Sequence, residues 1–294
     1  VTAGPGRVTS KGVQVSEPFF KYHGLGNDFV ILDRRSSGVD LDEAATRALC
    51  DRHRGIGADG VLVLLPGDGT VARMVVHNAD GSVPEMCGNG LRCAVKYLVD
   101  HQADRPTSIT VDTGAGPLRC GLSYDAEGVS EIAVAMGPAK LVASNLPSSG
   151  GTAFVEAPVA ELPGARGTAV SMGNPHLVFF DVPLERAGEV GPGLEYAKGF
   201  PQRTNVELAR LEGEGLRVVV WERGCGLTHA CGTGACATVA AAVLTQRVQA
   251  DTWVPVWLPG GELRIRVAPD LSRVELRGGA TFVFEGVVTV PGAY

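Results

Sequence analysis

Two short stretches carry a cysteine in the same setting. Met86-Cys87-Gly88-Asn89-Gly90 runs into LRCAVKYLVD, and Ala230-Cys231-Gly232-Thr233-Gly234 runs into ACATVAAAVLTQR. Each is a Cys-Gly-X-Gly step that opens an apolar helical run. A strand-like run and a polar turn come before it, RMVVHNADGSVPE in one case and LRVVVWERGCGLTH in the other. The first N–H groups of a helix have no intrahelical partner, and the dipole favours negative charge there. Glycines at that point allow a sharp turn and leave N–H groups uncovered. A thiol so placed is expected to ionise below its ordinary value of about 8.5. One such site in each half of the chain predicts two thiols facing one pocket.

Two facing thiols suit inversion at a carbon acid. One, as thiolate, removes a proton from one face; the other, as thiol, returns one to the opposite face. Backbone N–H groups of Gly88, Asn89, Gly232 and Thr233 would hold the adjacent carboxylate and the charge that spreads onto it. Such a site works without pyridoxal phosphate, and Lys11, Lys21, Lys96, Lys140 and Lys198 offer no Schiff-base setting. No cofactor is expected. Most free cysteines are small buried apolar residues, which is the reading for Cys50, Cys93, Cys120 and Cys236. The repeated glycine frame sets Cys87 and Cys231 apart. The Cys231–Cys236 gap would suit two metal ligands, but no further pair completes a tetrahedral set, so no metal is expected. A Cys87–Cys231 disulfide would be an inactive oxidised form.

Four asparagines sit in Gly-rich or polar turns: Asn27 in GLGNDF, Asn78 in HNADGS, Asn174 in GNPH and Asn205 in TNVE. One alone is explained by turn chemistry. Together, beside strand ends in both halves, they predict a polar cage for an amino acid's amine and carboxylate. His176, and Glu222-Arg223 at the end of a strand, are candidates to orient the thiols or grip a substrate.

The elements that must carry these groups follow from periodicity. Residues 18–33 read as two strands around a Gly-Leu-Gly-Asn-Asp turn. An amphipathic helix is expected over 41–53, and long helices after each Cys-Gly-X-Gly, to about Asp100 and about Arg247. Strands are expected at 61–65, 70–77, 108–113, 117–124, 130–136, 205–211, 216–222, 253–258, 263–268, 273–278 and 281–290, with strand-turn-strand over 169–181. A short helix is expected within 184–196. Gly55, Gly57 and Gly60 match G-x-G-x-x-G, but a helix precedes them and a strand follows, the reverse of a dinucleotide fingerprint. Residues 137–151, rich in Pro, Gly and Ser, suit a crossing between domains. The fold class is α+β, with antiparallel or mixed sheets each wrapping its long apolar helix. The run 237–244 is apolar all round and predicts a buried helix.

Composition narrows the function. With 294 residues, 45% of them hydrophobic, the chain supports a large core in one or two domains. Its formal charge of −6, with basic residues scattered, excludes a nucleic-acid stripe or a basic membrane helix. No apolar run approaches the ~20 residues of a membrane span. Seven cysteines, an odd number, in a chain with no visible export signal predict reduced thiols in the cytoplasm. Residues 1–16 read as a flexible leader.

Taken together, KYHGLGNDF (21–29), RGIGADG (54–60), HNADGSVPEMCGNGLRC (77–93), SMGNPH (171–176), TNVE (204–207), VWERGCGLTHACGTGACA (220–237) and LPGGELRI (258–265) resemble the diaminopimelate epimerase family. The resemblance implies two pseudosymmetric domains with the site in the cleft between them. Residues 17–134 form the first half, joined by a returning strand at about 281–294, and 135–280 form the second. The implied activity is cofactor-independent interconversion of LL- and meso-diaminopimelate, in lysine and peptidoglycan precursor synthesis. Cys87 and Cys231 are then the paired acid and base, with His176 and Glu222 as their polar partners. Asn27, Asn78, Asn174, Asn205 and Arg223 would bind the distal end of the substrate, and Gly88, Asn89, Gly232 and Thr233 the reacting end. A homodimer is the family's suggestion. Gly60 stands where some members have a substrate-contacting Gln, and Leu227 where many have Glu. A proline-type racemase is the alternative within the same mechanism; Asn89 and a distal Arg223 favour diaminopimelate. An amino-acid-binding or thiol-redox protein is the alternative outside it.

Overall fold

The structure, a computed structural model, describes residues 14–141 and 153–291. β1 (Gln14–Gly24) turns through Leu25-Gly26 into antiparallel β2 (Asn27–Asp33). α1 (Glu43–Cys50) crosses to β3 (Gly60–Leu65), parallel to β2, and β4 (Ala72–Asn78) runs back along β3. α2 (Gly88–Asp100) crosses to β5 (Ser108–Thr113), parallel to β4; β6 (Gly116–Tyr124) and β7 (Val129–Gly137) follow as antiparallel neighbours.

β8 (Lys140–Leu141) and β9 (Ala157–Pro158) lie antiparallel on β10 (Arg166–Ser171). From β10 onward the first half's sequence of directions repeats. β11 (Pro175–Phe179) is antiparallel to β10. A 3-10 turn (Leu184–Arg186) and α3 (Ala187–Glu195) lead to β12 (Asn205–Glu212), parallel to β11, and β13 (Gly215–Glu222) runs back along β12. A short β14 (Gly226–Thr228), which the sequence did not reveal, folds back on β13. α4 (Gly232–Leu244) crosses to β15 (Val254–Leu258), parallel to β13, then β16 (Gly261–Val267) and β17 (Val274–Gly278) follow antiparallel. β17 pairs with β7, joining the halves, and β18 (Thr281–Pro291) returns to pair with β1. The α+β class and the pseudosymmetry expected from the sequence are therefore present.

Burial explains the layering. Residues of α2 pack with one face of the first sheet, among them Ile31, Leu62, Leu91, Val95 and Ile132. The other face of the same strands packs on α1 through Val30, Leu32, Val61, Val63 and Leu49. The second sheet repeats this, with α4 against Val178, Val220, Ile265 and Leu276 and α3 against Leu177, Phe179, Val206 and Leu208. Strands covered on both faces read as continuous apolar runs, as VLVLL does. α4 is buried along Gly234–Ala242, as its apolar composition requires.

Several boundaries differ from expectation. β1 starts at Gln14, inside the stretch 1–16 assigned to a leader, because it pairs with β18 as far as Pro291. α1 is shorter than 41–53. Asp42 caps its start by accepting from Ala45 N, and Asp51 ends it by accepting from His53 N and Arg54 N. α4 stops at Leu244, before Arg247: Thr245 bonds back to Ala241 O and Gln246 takes a positive φ of 56°. The expected crossing at 137–151 begins with β8, and residues 142–152 lie outside the described residues. Among the described residues, no helix is long and apolar enough to cross a membrane.

Candidate active site

Cys87 and Cys231 are the N-caps of α2 and α4. Cys87 Sγ accepts from Gly90 N at 3.4 Å, and Cys231 Sγ accepts from Gly234 N at 3.3 Å. The glycines of these steps serve close approach rather than a sharp turn. None of Gly88, Gly90, Gly232 and Gly234 has a positive φ among the glycines that do. A Cβ on Gly90 would meet Leu62 Cδ2 at 2.9 Å. One on Gly234 would meet Glu207 Oε1 at 2.8 Å and Cys231 Sγ at 3.2 Å.

The two helix starts touch across the halves. Asn89 Nδ2 donates to Ala230 O at 3.3 Å, the residue before Cys231, and to Asn27 Oδ1 at 3.1 Å. Asn174 makes the matching contact in the second half, donating from Nδ2 to Thr233 Oγ1 at 3.4 Å. Asn27 is held by a carboxylate cluster. Its Nδ2 donates to Asp59 Oδ2 at 2.8 Å, Arg52 bridges Asp59 and Asp28, and the buried Lys21 pairs with Asp28 at 2.7 Å and donates to Gly57 O. The Leu25-Gly26 turn before it has two positive φ angles, 56° and 83°. That is the backbone of a tight hairpin, and it is unusual for Leu. The second half holds it in place: Leu25 packs on the α4 core, and its carbonyl leaves no room for a Cβ on Gly260.

His176 and Glu207 are both 0% exposed; Nδ1 and Oε1 are 2.7 Å apart, and His176 Nε2 meets Asn174 Oδ1 at 3.0 Å. Glu207 Oε2 is buried with no partner among the described residues. Burial pushes the Glu207 carboxyl up, and His176 pulls it back. The two groups therefore face each other cut off from water. Glu222 accepts from Thr228 Oγ1 at 2.5 Å, on the missed strand β14. Burial pushes it up as well, against its bond to Thr228, the nearby His176 and a bond to Cys231.

The thiols themselves depart from expectation. Burial pushes Cys87 up, and the Glu222 charge adds to this, outweighing the Gly90 and Asn89 N–H groups and Arg92. Cys231, 6% exposed, is pushed well up by burial, then by Glu222 and Glu207. A helix terminus lowers a thiol's pKa where the thiolate keeps its water; here desolvation wins. All seven cysteines are free thiols.

Arg223 is exposed; its Nη1 donates to Gln202 O at 2.9 Å, and no carboxylate pairs with it among the described residues. Its backbone N–H donates to Asn205 Oδ1, and Asn205 Nδ2 donates to Pro175 O. Asn205 therefore braces Arg223 and the strand that carries His176. Asn78 Nδ2 donates to Ser82 Oγ within its own turn at 2.9 Å, so its bonds are local. Burial pushes Cys225 of the other half up, and Glu222, the Asp80 of this turn and Glu195 add to it. Gly60 has no room for a side chain, since its Cβ would lie 2.6 Å from His77 O. Leu227 is 55% exposed beside Gly188.

Sequence reasoning passed over Glu207, Arg92 and Asp59. The signals were a Glu at an inward position of TNVELARL and an Arg among the apolar residues of LRCAVKYL. Among the described residues, no group of three or more His, Cys, Asp or Glu could hold a metal ion.

The profile of the family described as diaminopimelate epimerase matches residues 19–142 and 168–283. A diaminopimelate epimerase of Synechocystis sp. is 44% identical over 277 residues, 91% of this chain and 97% of that protein. One from Microcystis aeruginosa is 43% identical over 287 residues, 93% of this chain and 99% of that protein. Among solved structures, a hydroxyproline epimerase from Agrobacterium vitis, with bound trans-4-hydroxy-L-proline, superposes with a TM-score of 0.69 at 12% identity. That match covers 96% of this chain and 93% of that one, and at this identity it bears on the fold alone.

Proposed function

The chain belongs to the diaminopimelate epimerase family, and from that premise we propose that it interconverts LL- and meso-diaminopimelate, in lysine biosynthesis, by moving protons between Cys87 and Cys231. The observation that carries the mechanism is the matched placement of the two thiols. Each caps the central helix of its own half, and Asn89 bonds one start to the other.

One thiol, as thiolate, takes the proton from the carbon bearing the reacting amine and carboxylate. The other delivers a proton to the opposite face. Charge left on carbon spreads onto the carboxylate, which the first-turn N–H groups of Gly88, Asn89, Gly232 and Thr233 stabilise. Burial disfavours a thiolate at both positions, so the base thiol must release its proton to solvent, and the substrate's ammonium group supplies the nearby positive charge that favours the thiolate left behind. Glu222, bonded to Cys231 and acting by its charge on Cys87, is the acceptor for that ammonium. The reaction runs without pyridoxal phosphate.

Arg223, which pairs with no carboxylate among the described residues, receives the distal carboxylate together with Asn78 and Asn174. Asn27, Asn205 and His176 act by holding these groups in place. We divide the halves at about residue 135, with 281–294 assigned to the first. The protein acts in the cytoplasm as a homodimer; the exposed Phe282, Val283, Phe284 and Val287 along β18 support a second copy there.

Incubation with LL-diaminopimelate in D₂O tests the reading. Deuterium should enter at the inverted carbon. Tight binding without incorporation would refute an enzyme acting at that carbon, and full incorporation by Cys87→Ala would refute the two-thiol mechanism.

A further inference from the structure

Arg92, in α2, is 0% exposed and is the largest fully buried side chain among the described residues. Its donors all meet uncharged acceptors: Nε to Gly279 O at 3.2 Å, Nη1 to Gly88 O at 3.2 Å, and Nη2 to Asn89 Oδ1 at 2.8 Å. No carboxylate pairs with it among the described residues. The ionisable groups that would answer its charge, once deprotonated, are the thiols of Cys93, Cys87 and Cys236. The fold makes room for it: a Cβ on Gly24 would lie 3.2 Å from Nη2, and one on Gly278 would lie 3.4 Å from Nε. Burial draws the guanidinium's pKa down, yet an Arg side chain stays charged in proteins. A buried cation with no anionic partner is expensive, and so implies an anion that is present only part of the time.

The repeat narrows what that anion can be. Arg92 stands as far beyond Cys87 as Cys236 stands beyond Cys231, so the second half has no such cation. Cys87 faces Arg92 and the Asn89 and Gly90 N–H groups from α2, and Glu222 from β13. Cys231 faces Glu222 from β13, Glu207 from β12 with His176 of β11 bonded to it, and the Thr233 and Gly234 donors of α4. Glu222 therefore faces both thiols, whereas only Cys87 has a cation beside it and only Cys231 has Glu207 as a second acid.

We propose that Arg92 is the positioning residue that makes the two thiols unequal, so that Cys87 is first to give its proton to solvent and Cys231 remains the thiol in the ligand-free protein. This rests on the two-thiol reading above. Its consequence is directional: the resting protein is poised to take the α-hydrogen of the stereoisomer that presents it to Cys87. Arg92 also orients the Asn89 carboxamide, whose Nδ2 meets Ala230 next to the second thiol.

Carbon-13 NMR titration of ligand-free protein labelled at the cysteine Cβ reads each ionisation without turnover or reagent access. Cys87→Ser and Cys231→Ser assign the two resonances. Cys87 is expected to titrate below Cys231. Arg92→Met should raise the Cys87 midpoint by about one pH unit or more, a tenfold change in ionisation constant, and Arg92→Lys should restore it. Cys231 ionising first or together with Cys87 in the unaltered protein would overturn the proposal, even if no variant folds. An unmoved Cys87 midpoint in folded Arg92→Met would do the same. Deuterium exchange on the same samples separates the two readings. Ordered thiols without exchange at carbon would refute the enzyme mechanism and leave the ordering intact.

Discussion

Asn89 and Ala230 are joined by a 3.3 Å hydrogen bond that runs from the start of α2 to the residue preceding Cys231. The same carboxamide accepts from Arg92 and donates to Asn27. Asn89→Ala removes all three bonds and leaves buried partners unpaired, at about 1–3 kcal/mol. The variant should stay folded by denaturant titration and lose more than tenfold in deuterium exchange, about 1.4 kcal/mol in the barrier. Unchanged exchange would show that the link does not align the thiols.

His176 and Glu207 form a buried pair where the first half has Phe29 and Leu62. The registers match, Phe29 opposite Gly60 and His176 opposite Asn205. Gly90 crowds Leu62 as Gly234 crowds Glu207. Glu207→Leu alone strands His176 and should cost about 3–5 kcal/mol, whereas the double variant with His176→Phe should recover most of that loss. A urea double-mutant cycle measures the coupling, and simply additive losses would contradict it.

Gly234→Ala would drive a methyl to 2.8 Å from Glu207 Oε1 and 3.2 Å from Cys231 Sγ. Overpacking of this kind should destabilise by about 1–3 kcal/mol. Gly88→Ala meets only Met136 Cε at 3.9 Å, so its melting temperature should stay near that of the unaltered protein. Equal melting temperatures for all three proteins would mean that the α4 start can shift to accept a methyl.

Stability should fall on both sides of neutrality. Burial pushes Cys50 up to about 11 and Cys120 up to about 12. The folded state keeps protons that the unfolded chain releases near the ordinary value of about 8.5. That contribution is complete below the ordinary value and is lost as pH rises through the folded ones. Burial raises Asp28, but bonds from Arg52 and Lys21 outweigh it and hold its carboxyl well below the usual range. The stability it adds is present above about pH 3.9 and is lost as pH falls through the lower folded value. A melting temperature still climbing from about pH 8 to about 10.5 would contradict the alkaline half of this expectation.

Arg223→Met should raise KM for diaminopimelate by roughly 10–100-fold, the worth of a charge-assisted bond of about 1.5–3 kcal/mol. Its melting temperature should hold, because Arg223 is exposed and, among the described residues, makes one side-chain bond, to a carbonyl. An unchanged KM would take the distal carboxylate away from Arg223.

Local chemistry made much of this legible. Period-2 runs gave nearly every strand, and the Cys-Gly-X-Gly steps placed both thiols at helix starts. β14 escaped because a strand of Gly226–Thr228 is too short to show periodicity. The direction of the thiol shifts was misjudged for a different reason. A helix start is a local feature, whereas the burial that overrides it comes from strands distant in sequence that pack around each helix, as Cys87 and Cys231 each pack with the core of their own half. Glu207 was passed over because TNVELARL reads as an ordinary strand until its partner, His176, is brought alongside from β11. Glu222 was found because it ends a strand next to an Arg, a pattern visible along the chain.

β1 lies between β2 and β18, so its outer edge is completed only by residues made after the whole second half. While the ribosome is still translating the second half, that edge offers unpaired backbone groups to any passing strand. The first half to emerge is thus the last to be sealed, and a nascent chain stalled before Thr281 would leave an aggregation-prone surface open. Arrest before and after that residue should divide protease-sensitive nascent chains from resistant ones.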